Sequence, residues 1–230
     1  MTDQPTAPVL EMTAVEHAYR RTVALNGVSL AVEPGEVLAV SGPSGCGKST
    51  LLHAAAGIIR PQSGSVRLLG HDLEELDEAA RTRLRRRRVG IVLQFGQLVP
   101  DLPVIENVAL PLLLDGHDRA AAYTAAAAWL DRVGLDADHD TPPAELSGGQ
   151  AQRVAVARAL VTGPAVIFAD EPTGSMDTIG GEHLLELLLG AARERGAALV
   201  LVTHDNVVAA HADRELRLRD GLVEAEAVLR

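Results

Sequence analysis

Val37-Leu38-Ala39-Val40-Ser41-Gly42-Pro43-Ser44-Gly45-Cys46-Gly47-Lys48-Ser49-Thr50 joins an apolar run to a glycine-rich octapeptide that fits G-x-x-x-x-G-K-[ST]. Leu51 to Ala56 follow with helix-forming residues, so the stretch reads as strand, tight loop and helix. In such a loop Gly42, Gly45 and Gly47 let the backbone wrap until successive N–H groups point inward at an anion. The start of the following helix adds the positive end of its dipole. Lys48 supplies a slim point charge able to reach β- and γ-phosphates where a planar guanidinium would crowd the loop. Ser49 offers a hydroxyl to Mg²⁺, and Pro43, Ser44, Cys46 and Thr50 complete the cradle. Cys46 also has a bland reading, as a small residue the loop tolerates. Lys48 is the only lysine among 21 basic residues, all the others being arginine.

Outward from this unit, strand-like and helix-like segments alternate, which places the chain in the α/β class. Strands are expected at Leu10–Val15, Ser29–Val32, Val37–Ser41, Val89–Leu93, Val166–Ala169, Leu199–Thr203 and Glu215–Leu218. The wholly apolar ones read as buried strands of a parallel sheet. Helices are expected at Ser49–Ala56, Glu74–Arg86, Asp118–Val133, Gly148–Leu160 and Gly180–Arg195. From residue 96 to 163 no buried-strand run occurs, and the text turns Ala-rich and helical. The expected organisation is one domain over 1–230, with 1–95 and 164–230 as the α/β core and 96–163 as an inserted helical subdomain.

Composition narrows the function. The chain has 230 residues and a net charge of −10, a poor balance for gripping a nucleic-acid backbone. A chain this long buries roughly 70–75% of its unfolded surface, so it needs no structural metal or disulfide. Its single cysteine could not form an internal bridge. No apolar run approaches membrane-spanning length, and Met1 to Pro8 lack the pattern of a secretory leader. A soluble cytosolic protein is expected. Aromatic residues are only 2%, so one lying near a ligand motif merits weight.

Two more motifs bear on phosphate chemistry. Val166-Ile167-Phe168-Ala169-Asp170-Glu171 is an apolar strand ending in two acids. It is expected to deliver Asp170 beside the phosphate loop to hold Mg²⁺, directly or through water. Glu171 is then placed to polarise a water in line with the γ-phosphate. Leu146-Ser147-Gly148-Gly149-Gln150 precedes a helix, with Ser147 as N-cap and two glycines leaving the helix N-terminus open. That makes a second anion site in a chain with one nucleotide's worth of other machinery.

LSGGQ together with the phosphate loop makes the chain resemble the ATP-binding subunits of ATP-binding-cassette (ABC) transporters over roughly Leu10 to Glu224. The motifs stand in that family's order: phosphate loop, Gln94, Leu146–Gln150, Asp170-Glu171, Ser175-Met176-Asp177 and His204. The resemblance implies a P-loop NTPase core with a mainly parallel sheet, an N-terminal antiparallel β portion and an inserted α-helical subdomain. It implies ATP and Mg²⁺ at the site and a head-to-tail, ATP-dependent dimer with a second copy. Ser147, Gly148, Gly149 and Gln150 would then meet the partner's nucleotide. It further implies separately encoded transmembrane permease subunits, and a place at the inner face of the cell membrane.

Individual roles follow from the same match. Tyr19 resembles the aromatic that stacks on adenine; the bland alternative is a core tyrosine on an edge strand. Gln94 resembles the glutamine that touches Mg²⁺ or water and couples to the membrane partner, rather than a polar strand terminator. His204 resembles the histidine that contacts the γ-phosphate, and Asp177 the aspartate linking the two half-sites, rather than an ordinary turn residue. Catalysis would rest on Glu171, His204, Lys48 and Gln94, and the metal on Ser49, Gln94 and Asp170.

The stretch Gln94–Leu114 resembles the branch serving lipoprotein release, macrolide-type export and cell division. Three departures from the commonest family pattern stand out: Met176 for Leu, Ala151 for Gln, and Gly96-Gln97 where an aromatic or Asn is frequent. The alternatives are a soluble ATPase of the superfamily and a regulatory ATPase not coupled to transport. A small-molecule kinase has no use for LSGGQ. The run Arg85–Arg88 reads either as a solvated helix end or as a contact for anionic lipid or an acidic partner.

Overall fold

A computed structural model describes residues 7–94 and 96–229. The first six residues, read above for a leader, lie outside these, as does Phe95. The elements run β1 (Leu10–Tyr19), β2 (Thr22–Val32), β3 (Val37–Ser41), α1 (Lys48–Ala55), β4 (Ser63–Leu68), β5 (His71–Asp72), α2 (Glu78–Arg88) and β6 (Val89–Val92). They continue with α3 (Val104–Leu114), α4 (Arg119–Arg132), α5 (Gly148–Leu160), β7 (Val166–Asp170), α6 (Thr178–Arg195), β8 (Ala198–Val202), α7 (Asn206–Ala209), β9 (Arg214–Arg219) and β10 (Leu222–Val228). The architecture is α/β, with parallel strands and a separate antiparallel N-terminal sheet, as expected. The chain's contacts divide it at Arg86 and Gly196, so β6, β7 and α6 group with the helices between them.

The first unit, Met1–Arg85 with Gly196–Arg230, holds two sheets. β3 is buried throughout and lies parallel to β8 on one side and β9 on the other. That two-sided burial is what its unbroken apolar run requires. β1 pairs antiparallel with β2 and β4, and its register shifts between Met12 and Val15 and again on either side of His17. β10 closes the other sheet as an exposed edge, hydrogen-bonded to β9.

The second unit, Arg86–Arg195, sets the parallel pair β6–β7 beneath α5. α3, α4 and α5 pack on one another, and α6 packs on α5. α5 begins on a full capping box: the Ser147 hydroxyl accepts from the Gln150 N–H at 3.2 Å, and the Gln150 side chain accepts from the Ser147 N–H at 2.9 Å. α2 starts four residues later than the sequence suggested, because the Asp77 carboxylate accepts from the Ala80 N–H at 2.7 Å and caps the helix there. In the same way α6 starts two residues early, where Asp177 accepts from the Gly180 N–H at 2.7 Å.

The arginine run is largely engaged within the protein rather than a freely solvated helix end. Arg85 donates to the Gly57 carbonyl and to the Thr82 hydroxyl, the latter at 2.9 Å. Arg86 and Arg87 both pair with Asp115, at 3.0 and 2.6 Å, and Arg87 first, then Arg86, holds that carboxyl below its ordinary range. Three of the four guanidiniums thus have partners within the protein, Arg86 and Arg87 sharing one carboxylate.

Candidate functional site

In the first unit the phosphate loop leaves the C-terminal end of β3 as the sequence implied. Two of its glycines are fixed by crowding. A Cβ on Gly42, at φ +144°, would stand 2.1 Å from the Leu218 carbonyl oxygen, and one on Gly47, at φ +109°, 2.1 Å from that of Ala24. The loop is therefore clamped between β9 and β2 at distances only glycine allows. Gly47 also ends the loop in a left-handed turn that starts α1 at Lys48 with no side-chain cap. The α1 N-terminus therefore opens directly onto the loop.

Lys48 is buried, and its Nζ donates to the carbonyls of Gly42 and Pro43 at 2.8 and 3.0 Å. A fixed ammonium so held sits over the mouth of its own loop. Pro43, Ser44, Gly45 and Ser49 are exposed around it, and Thr50 is half-buried. Cys46 is 4% exposed, so its backbone rather than its thiol is what the loop offers a ligand.

His204 leaves β8 two residues after Val202, which lies opposite Val40 in the parallel register with β3. The phosphate loop and His204 therefore emerge from the same edge of neighbouring strands, where α/β sheets bind ligands. Thr203 fixes the exit, its hydroxyl accepting from the Asp205 N–H at 3.0 Å. Tyr19 ends β1 opposite Thr22 and is 49% exposed. Thr22 is two residues from Ala24, whose carbonyl abuts Gly47, so the Tyr19 end of the hairpin lies about 7 Å along β2 from the loop.

The second unit gathers the remaining motifs. β6 and β7 run parallel, with Val92 opposite Ala169, so Gln94 and the Asp170-Glu171 pair leave one edge together. Asp170 is 6% exposed at the end of a wholly buried strand. Glu171 follows at φ +45°, a left-handed conformation that costs a non-glycine residue of order 1 kcal/mol or more.

The tip of α5 and the segment after β7 touch. The Ser175 hydroxyl donates to the Gly148 carbonyl at 3.3 Å, and Met176 lies against Gly149. Ser147 and Gly148 stay exposed, presenting the helix N-terminus. Gln150 is otherwise engaged, its amide bonding Ser147 and donating to the Asp136 carbonyl at 3.0 Å. Its side chain holds the tip in shape.

One residue absent from the sequence reading belongs here. Arg158, on the far turns of α5, donates to the carbonyls of Gly96 and Gln97 at 2.8 and 3.1 Å, and burial lowers its pKa from the ordinary value. It ties the loop after Gln94 to the helix that carries LSGGQ. Two of the departures from the family pattern also meet here, because a Cβ on Gly96 would stand 2.9 Å from the Ala151 carbonyl oxygen. Arg158→Met removes both charge-assisted bonds, worth about 2 kcal/mol together once the relieved desolvation is set against them. For a chain of this size that is roughly 4–8 °C in Tm. Thermal denaturation, with faster amide exchange at residues 96–98, checks it.

Oxygen donors suited to Mg²⁺ are present in Ser49, Asp170 and Gln94. Among the described residues no three His, Cys, Asp or Glu cluster as a metal cage. An ion held chiefly by phosphates and water needs only one or two protein oxygens, and each of these side chains is of the kind Mg²⁺ takes.

A phosphate loop of this build, with a strand-end acid pair, defines a P-loop nucleoside triphosphatase. A family model described as ABC transporter matches residues 25–174. The lipoprotein-releasing system ATP-binding protein LolD of Shewanella sp. (strain MR-4) is 43% identical over 223 residues, covering 95% of this chain and 96% of that one. The uncharacterized ABC transporter ATP-binding protein YbbA of Escherichia coli (strain K12) is 48% identical over 203 residues, covering 88% and 89%. A solved dimeric ATP-binding cassette, in a post-hydrolysis state with ADP and Pi, matches with a TM-score of 0.92 at 36% identity, covering 96% of this chain and 99% of that one. The chain belongs to the ABC transporter family, as an ATP-binding and ATP-hydrolysing subunit.

Proposed function

We propose that this subunit powers a lipoprotein-release or export-type transporter, hydrolysing ATP as a head-to-tail dimer and driving separately encoded membrane permeases from the cytoplasmic face. The observation that carries the dimer is the pair of anion sites. Each chain offers a phosphate loop and, separately, an α5 tip braced by Ser147, Gln150, Ser175 and Met176. Two copies placed head to tail would join one of each around every nucleotide, so the γ-phosphate would hold the pair together and its loss would release it.

Within that site Lys48 and His204 would stabilise charge on the transferring phosphoryl group, and Glu171 would take the proton of the attacking water. Ser49, Asp170 and Gln94 would hold Mg²⁺, which when bound neutralises charge across the β- and γ-phosphates. Ser147, Gly148 and Gly149 would contact the partner's nucleotide, with Asp177 beside them, while Tyr19 would stack on adenine. Residues 96–163 would form the helical arm that meets the permease, with Gln94 at its root. No helix among the described residues is long and apolar enough to cross a membrane, so membrane attachment would come through the permease.

The lipoprotein-release assignment leans on the likeness to LolD of Shewanella sp. (strain MR-4). Pull-down from solubilised membranes with ATP-trapped Glu171→Gln protein tests it. Recovery of a permease whose loss stalls lipoproteins in the inner membrane is expected. Recovery of a substrate-uptake permease, or of a purely soluble partner, would overturn it.

A further inference from the structure

The end of β1 is held by contacts that strand pairing does not explain. Pairing of β1 with β4 stops at Glu16 opposite Ser63, leaving the Ala18 N–H and C=O on that side beyond the reach of β4. Gln62 supplies both partners from the residue before β4. Its Oε1 accepts from the Ala18 N–H at 3.0 Å, its Nε2 donates to the Ala18 carbonyl at 3.2 Å, and its own backbone N–H donates to the Glu16 carbonyl at 2.8 Å. The Gln62 side chain thus stands in for one more residue of strand.

Ala18 is flanked by two rings. His17 and Tyr19 meet edge to face, their centroids 4.7 Å apart and their planes at 74°. The His17 Nδ1 is buried with no hydrogen-bond partner among the described residues, so this ring is placed for packing rather than for polar contact. The rings lie two residues apart on a strand whose register shifts on both sides of His17, and ordinary alternation of side chains does not fix their geometry here. Beyond Tyr19 the chain turns at once through Arg20 at φ +54°.

Without these contacts a half-exposed tyrosine at a hairpin end would sample several rotamers, and ordering it on binding costs affinity. We propose that Gln62 and His17 are positioning residues for the base of the bound nucleotide. Gln62 fixes the backbone under Tyr19, His17 fixes its ring, and together they set the part of ATP affinity that depends on adenine rather than on phosphate. This rests on the reading of Tyr19 as the stacking residue.

Titration calorimetry with ATP and with inorganic tripolyphosphate, each with Mg²⁺, separates base from phosphate. Gln62→Met, which keeps length but loses both hydrogen bonds, and His17→Ala are each expected to raise the Kd for ATP about three- to tenfold. The Kd for tripolyphosphate should stay unchanged. His17→Phe, which keeps a ring edge against Tyr19, should restore most of the loss. A parallel rise in both dissociation constants would overturn the proposal, because general loosening of the site moves both. Tyr19→Ala is the control. If it raises the ATP value about tenfold while Gln62→Met and His17→Ala do nothing, the positioning role falls and the stacking role stands. If Tyr19→Ala itself changes nothing, both fall.

Discussion

Glu171→Gln protein should bind ATP with near-native affinity, hydrolyse it about 10²- to 10⁴-fold more slowly, and collect as a dimer that falls apart when ATP is removed. The range is the usual contribution of a positioned general base. Glutamine keeps the size of the side chain and a hydrogen-bonding oxygen but cannot accept the proton of water, so binding and chemistry separate. The backbone supports the choice of this residue over Asp170. Asp170 ends a strand in ordinary extended conformation, whereas Glu171 is held at φ +45° with its carbonyl accepting from the Gly174 N–H at 3.1 Å. A residue held in that conformation without being glycine carries a backbone cost that glycine would not. Glu171→Gly should therefore be as inactive as Glu171→Gln yet more stable by about 1 kcal/mol. Phosphate release, light scattering with and without ATP, and urea denaturation measure the three quantities. Wild-type turnover by Glu171→Gln would remove the residue from the mechanism.

The motifs that read most clearly in the sequence are those whose chemistry fixes their spacing. The phosphate loop, Asp170-Glu171 and LSGGQ could be placed on their elements because each needs its residues consecutive. α5 was legible from its first residue to its last, since Ser147 and Gln150 write a capping box into the text. α3 was not. Two of its residues are Pro111 and a buried Asn107, and its first N–H groups are satisfied from a distance, Val104 by the Thr141 carbonyl and Ile105 by that of His139. Pro103 and Pro111 read locally as breakers, and the loop that supplies those carbonyls is some 35 residues away. β4, β5 and β10 escaped for another reason. β4 buries only Val66 and Leu68, β10 is an exposed edge and β5 only two residues, so none carries a buried apolar run. Arg158 escaped because nothing distinguishes one arginine from twenty until the carbonyls it holds are seen.

That same count makes Lys48 the sharpest test of the phosphate site. Lys48→Ala should weaken ATP binding by about 10- to 150-fold, the worth of one or two charge-assisted hydrogen bonds, and abolish measurable turnover. Lys48→Arg tests whether the charge alone is enough. A chain that uses arginine at every other basic position has kept lysine only here. The geometry gives a reason: Nζ lies 2.8 and 3.0 Å from two carbonyls of a loop whose ends are pressed against Leu218 and Ala24. An ammonium can turn one N–H outward to phosphate while keeping two on the carbonyls. A planar guanidinium, longer and wider, cannot fit that corner without prising Gly42 from Leu218. Lys48→Arg should therefore bind ATP little better than Lys48→Ala, and its loop should exchange amide hydrogens faster at residues 43–47. If Lys48→Arg instead binds and turns over ATP as the wild type does, the ammonium is exchangeable for any cation and the crowding argument for this loop fails.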